Sequence, residues 1–106
     1  MTKESTNPET YPATVAGMEL TQVRLPDPGH NVARISPRHL QRGDVVEMTG
    51  GAALVLGRSL RMHPGRVLTT ALSLVDLVTG KEFESVRFDH HLITVREDVA
   101  YLEPES

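Results

Sequence analysis

Cysteine and tryptophan are absent from the 106 residues, and aromatic residues make up only 4%. Without cysteine there is no disulfide, no thiolate nucleophile, no thiolate-bound zinc and no iron–sulfur cluster, a usage that fits a reducing cytoplasm. With Phe83, Phe88, Tyr11 and Tyr101 as the only phenyl and phenol rings, a core has to be assembled from Val, Leu, Ile and Met. Long apolar runs are missing too, since nothing approaches the roughly 18 to 20 residues that cross a bilayer as a helix. The chain opens on Lys3, Glu4 and polar residues in place of the apolar stretch of a secretory signal. The expectation is a cytoplasmic protein with no membrane partner. What is present, 39% hydrophobic and 24% charged residues in 11.7 kDa, suits one modest domain and leaves no material for a second independent core.

The formal net charge of −3 conceals a gradient. Residues 1–33 set Lys3 and Arg24 against Glu4, Glu9, Glu19 and Asp27, and residues 97–106 carry Glu97, Asp98, Glu103 and Glu105 with no base. Between them, residues 34–96 hold nine bases, eight of them Arg, against six acids. A basic body between acidic ends can touch a polyanion locally. A pI near 5.9 nevertheless gives none of the long-range attraction typical of a dedicated nucleic-acid binder.

Residues 1–12 are polar, Pro-punctuated and without apolar periodicity, which reads as a flexible tail. Residues 13–33 place Val15, Met18, Leu20, Val23 and Leu25 on neither a helical nor a strand period and close on Pro26, Asp27, Pro28 and Gly29, as an extended arm or edge strand would. Ser36 before Pro37 is an N-cap with Pro at the first helical position, and Gly43 follows where a left-handed residue belongs. The segment SPRHLQRG is therefore one short helical turn anchored by Leu40. Strands follow: Asp44–Met48, then Ala52–Met62 with Gly57 as a bulge, then Val67–Val78. The fourth runs Lys81–Asp89, with a parity break near Glu84 or Ser85 that predicts a second bulge. The fifth, Leu92–Arg96, points Ile93 and Val95 inward. Residues 67–78 also fit a helix that aligns Leu68, Leu72 and Val75, but the density of β-branched residues and Gly80 at the turn favour a strand apolar on both faces. The fold class expected is mostly β: a small five-stranded antiparallel SH3-like barrel over residues 34–97, preceded by one helical turn, with an acidic tail from 98 to 106.

In that strand order, the segments RGDVVEM, HPGR at 63–66, TTALSLVDL and TGKEFESVRF resemble the N-terminal KOW-like domain of bacterial elongation factor P and its hypusine-bearing archaeal and eukaryotic counterparts, over about residues 40–96. The resemblance implies an SH3-like barrel whose loop between second and third strands is directed at the acceptor end of transfer RNA in the ribosome. In that family the loop presents a Lys, often modified. The matching residue here is Arg66, whose guanidinium stays protonated and is a poor nucleophile, so Arg66 is not a substrate for that modification.

Arg58, Arg61, His63 and Arg66 surround this loop, and on a barrel they would converge on one rim suited to phosphate oxygens or to a protein partner. No aromatic residue lies among them to stack a base. Five histidines, His30, His39, His63, His90 and His91, raise a metal site. Zinc needs three or four converging ligands, however, and His90 and His91 on extended backbone would point to opposite faces. A metal-dependent enzyme built on Asp89, His90 and His91 is thus the remotest reading, and neither a metal nor a cofactor is expected. No serine sits in a nucleophile elbow, and GGAALVLG is neither a phosphate loop nor a dinucleotide fingerprint. The leading expectation is a non-catalytic interaction module, with no small-molecule substrate, that docks on a protein or on a second copy of itself through the rim loop, an edge strand or the arms 1–33 and 97–106. The alternative is a nucleic-acid- or ribosome-associated protein that contacts RNA through Arg58, Arg61 and Arg66.

Overall fold

Short runs of Val, Leu, Ala and Thr broken by Gly-containing turns favour strands over helices, because β-branched side chains pack well on a pleated surface and lose rotamer freedom in a helix. The computed structural model describes residues 11–22 and 32–104, and contains eight strands and one 3₁₀ turn. The strands are β1 (Thr14–Val15), β2 (Met18–Gln22), β3 (Val32–Ile35), β4 (Asp44–Met48), β5 (Gly51–His63), β6 (Val67–Asp76), β7 (Glu82–Phe88) and β8 (Ile93–Leu102), with the 3₁₀ turn at Pro37–His39. All join one antiparallel sheet in the order β1-β2-β8-β4-β5-β6-β7, with β3 also paired to β8. The chain is therefore mostly β and antiparallel, as expected, but the sheet is open and has eight strands where five were anticipated.

The additional strands come from the segments read as arms. β1 and β2 form a hairpin through Ala16 and Gly17, both at positive φ (53° and 79°), the backbone of a two-residue turn matched to strand twist. β2 then pairs with β8 over Val99–Leu102, and β3 pairs with it over Ile93–Arg96. The strand expected to stop at Arg96 thus continues to Leu102, and Asp98, Val99 and Tyr101 belong to it and not to an acidic tail. The charge run misled because Val99 and Tyr101, both buried, alternate with the acidic and small residues beside them. Within the expected tail, Tyr11 Oη accepts a hydrogen bond from Arg96 Nη1 (3.1 Å), and the Pro12 carbonyl accepts one from Tyr101 Oη (2.5 Å). These contacts, β2 and β3 tie the described parts of the two arms to the sheet of their own chain. Residues 1–10 and 23–31, among them the run Pro26, Asp27, Pro28 and Gly29 and the candidate His30, lie outside the described residues.

β4 pairs β8 on the edge opposite β2 and β3, and its register jumps: Asp44 faces Ala100, whereas Val45 faces Arg96. Gly43 makes this irregularity possible. Its N–H donates to the Val55 carbonyl and its carbonyl accepts from the Tyr101 N–H, both at 2.9 Å. Its φ of 100° is one that side chains disfavour, and a Cβ there would stand 2.3 Å from the Tyr101 carbonyl oxygen.

The bulge expected at Gly57 is present: Val55 faces Leu74 and Gly57 faces Ser73, leaving Leu56 as the extra residue. The bulge expected near Glu84 is not, because β7 pairs β6 without interruption from Val75↔Glu82 to Thr69↔Phe88. Phe83, Val86 and Phe88 need not share a buried face, since all three are exposed. Ser36 has the extended backbone of an N-cap but no side-chain cap; its hydroxyl donates to the Asp89 carbonyl at 3.0 Å.

The sheet carries an apolar cluster on each face. Met18, Val45, Leu54, Val75, Leu77, Val99 and Tyr101 pack on one, called here the first face. Leu40, Val46, Val55, Leu72, Leu74, Ile93 and Val95 pack on the second. The neighbours Val45 and Val46, Leu54 and Val55, and Leu74 and Val75 fall on opposite faces because strand side chains alternate. Each fully buried Val or Leu contributes about 1.5 to 3 kcal/mol relative to exposure.

Candidate functional site

Pairing fixes which side chains share a face. Arg58 lies opposite Leu72, Leu60 opposite Thr70 and Met62 opposite Leu68, so these three project on the second face; Arg61, opposite Thr69, and His63, opposite Val67, project on the first. The expected rim is therefore divided. Arg58 Nε donates to the Leu40 carbonyl at 2.6 Å and holds the 3₁₀ turn against β5. Arg61 Nη2 lies 3.5 Å from Glu84 Oε2, both side chains about half exposed, a pairing worth little in water. His63 Nε2 lies 2.8 Å from Thr69 Oγ1. Arg66 is exposed in the β5–β6 turn at φ 63°, next to Gly65 at 82°. The structure brings together only Arg61 and His63, on the first face.

Beside them lies a feature that the sequence reading passed over. On the first face Arg61, Thr69 and Phe88 occupy matching positions on three adjacent strands. The Phe88 ring stacks on His90 (centroids 5.7 Å, planes 18° apart) and meets His91 edge-on at 5.7 Å, while the two imidazoles are 4.4 Å apart. The extended backbone assumed for His90 and His91 is in fact a turn, closed by the His91 N–H donating to the Phe88 carbonyl at 3.0 Å. The run FDHH at a strand end was the available signal. Asp89 faces Arg38 at 3.7 Å, and its backbone carbonyl takes the Ser36 hydroxyl. Among the described residues, no group of three or more His, Cys, Asp or Glu is placed to hold a metal ion.

The other prominent feature is β7. It ends the strand order, and within seven residues it exposes Phe83 (39%), Val86 (49%) and Phe88 (42%). Phe83, Ser85 and Arg87 project on the second face, and Glu82, Glu84, Val86 and Phe88 on the first. Beneath its second face runs an open groove of about 380 Å³ lined by Met48, Gly50, Ala53, Asp76, Phe83 and Arg87. Arg87 Nε donates to Ser85 Oγ at 2.9 Å, and the guanidinium has no ion pair among the described residues. Asp76, at the end of β6, accepts the N–H groups of Val78 (2.7 Å) and Thr79 (3.0 Å) on Oδ1; these bonds, that of Thr79 first, hold its carboxyl below the ordinary value. Such an edge can do one thing without further apparatus: align a second extended backbone. Comparison with protein families and with curated proteins finds no match to this chain.

Proposed function

We propose that the chain is a non-catalytic interaction module that binds a protein partner by adding an extended segment of that partner to the outer edge of β7. The observation that carries this reading is the combination, on one end strand, of an edge that no strand among the described residues pairs with and three exposed large apolar side chains. An end strand with exposed apolar side chains is a template for pairing with another chain, and the charged Glu82, Glu84 and Arg87 on the same strand restrict which chain can pair. The run β8-β4-β5-β6-β7 supports an SH3-like description of the body, being a meander whose last strand returns beside its first. The test is capture by the full chain from lysate of the cells that make it, with and without RNase. A protein recovered in both, and lost with Phe83→Lys/Val86→Lys, is the expected result.

A second reading draws on the first face, which Arg61 and His63 of β5 share with the Phe88–His90–His91 ring cluster across Thr69 of β6, a combination of cation and stacking surface that suits single-stranded RNA. It predicts RNA binding that weakens steeply with salt, with the slope reduced by about one unit in Arg61→Ala. No binding at low salt removes it, and a captured partner that disappears with RNase would favour it over strand addition.

A further inference from the structure

The β7 edge carries a charge pattern as well as an apolar one, and this pattern narrows the partner. Side chains directly opposite across an antiparallel pair share a face at about 4.5 to 5.5 Å between Cβ atoms, so each β7 residue sees one residue of an added strand. On the first face the incoming strand meets Glu82, Glu84, Val86 and Phe88 in that order; on the second it meets Phe83, Ser85 and Arg87. Glu82 has no ion pair among the described residues, and Glu84 has only the 3.5 Å contact with Arg61. The half-buried Arg87 uses Nε on Ser85, and its two terminal nitrogens make no hydrogen bond among the described residues. A guanidinium fork of this kind matches a carboxylate.

Resting on the strand-addition reading, we infer that β7 selects an antiparallel segment with basic residues opposite Glu82 and Glu84, an acidic residue opposite Arg87, and apolar residues opposite Phe83, Val86 and Phe88. Read from its N-terminus, the partner is apolar, acidic, apolar, unrestricted, basic, apolar, basic. A second copy of β7 does not satisfy this pattern. Full antiparallel overlap about Ser85 sets Phe83 against Arg87, which is favourable, but it sets Glu82 against Phe88 and Glu84 against Val86, so no acid meets a base. A nucleic-acid strand is unsuited as well, since its phosphates would approach Glu82 and Glu84. The occupant is a hetero-partner whose charges are complementary to those of β7 in this register.

The probe is a β-hairpin peptide, ordered in advance so that little conformational entropy is lost on binding. Its outer strand reads Val-Glu-Ile-Thr-Lys-Tyr-Lys, and the control hairpin reads Val-Lys-Ile-Thr-Glu-Tyr-Glu. Each is titrated into the full chain to about 1 mM and followed by backbone amide NMR, a range that captures even the weak affinity expected of a short edge. The matched hairpin should shift the amides of residues 82–88 and bind at least about tenfold more tightly than the control. The preference should invert in Glu82→Lys/Glu84→Lys/Arg87→Glu, two exposed changes and one half-buried one, whose effect on folding a thermal melt checks. Equal binding of the two hairpins overturns the charge code and leaves strand addition standing. If neither hairpin moves a β7 amide, both readings fall. If the parent chain self-associates through β7 and the hairpins compete with it equally, the edge belongs to a second copy and the inference is overturned.

Discussion

At Gly43 three constraints meet on one residue: a positive φ, a donated bond to Val55 and an accepted bond from Tyr101. Gly43→Ala adds a Cβ that collides with backbone, which cannot swing aside as a flexible side chain would. Strain at that φ and local overpacking together should destabilise the fold by about 2 to 5 kcal/mol. Gly50→Ala is the control, because nothing lies within 4 Å of its added Cβ. Urea denaturation should separate the two variants, and a Gly43→Ala chain as stable as the parent would contradict this account of the bulge. Asp76 supplies a second residue-scale prediction. Its carboxyl is held below the ordinary value near 3.8 by bonds to Thr79 and Val78, so it binds its proton less readily folded than unfolded. The stabilisation is present above the unfolded value and is lost as pH falls through the folded one. Melting temperature measured from pH 7 down to pH 2 should therefore decline less steeply below about pH 4 in Asp76→Asn than in the parent.

At the scale of elements, β6 is the strand on which both the fold and the docking edge depend, since it pairs β5 on one side and β7 on the other. Leu72 and Leu74 are fully buried in the second-face cluster, so Leu72→Ala and Leu74→Ala should each cost about 2 to 5 kcal/mol. A helix over these residues would have silenced the second change, and comparable losses of thermal stability in both are the expected result. β4 could be read from the sequence to the residue, and the bulge in β5 from Gly57, because turn glycines and alternating apolar residues are local signals. What could not be read was pairing. Nothing near Met18 or Val32 announces that both segments lie along β8, and nothing near Arg96 announces that β8 passes a register jump and continues. The candidate rim is split between the two faces for a reason that was legible: Arg58 and Arg61 are three apart on a strand and so face opposite ways. The ring cluster was missed because it depends on the turn at His90, and the β7 edge because an end strand is defined by what does not pair with it.

For the whole molecule, the two apolar clusters use the same strands, so neither can be lost alone. Removing β4 from the first face takes Val45 away and, one residue on, Val46 from the second; β5 and β6 are shared in the same way. The sequence supplies separate reporters. Both tyrosines, Tyr11 and Tyr101, belong to the first-face cluster, and both isoleucines, Ile35 and Ile93, belong to the second. Tyrosine fluorescence and isoleucine methyl NMR therefore follow the two cores independently through one thermal transition. If shared strands couple the cores, the two probes should give the same midpoint in the parent chain, as a two-state transition requires. Met18→Ala, a truncation in the first cluster, should lower both midpoints together by an amount corresponding to about 2 to 5 kcal/mol, even though Met18 touches only one face. Leu40→Ala should do the same from the other side. An isoleucine transition that stays in place while the tyrosine transition falls would mean that the segment from Tyr11 to Gln22 is an appendage to the sheet and not a part of its cooperative unit.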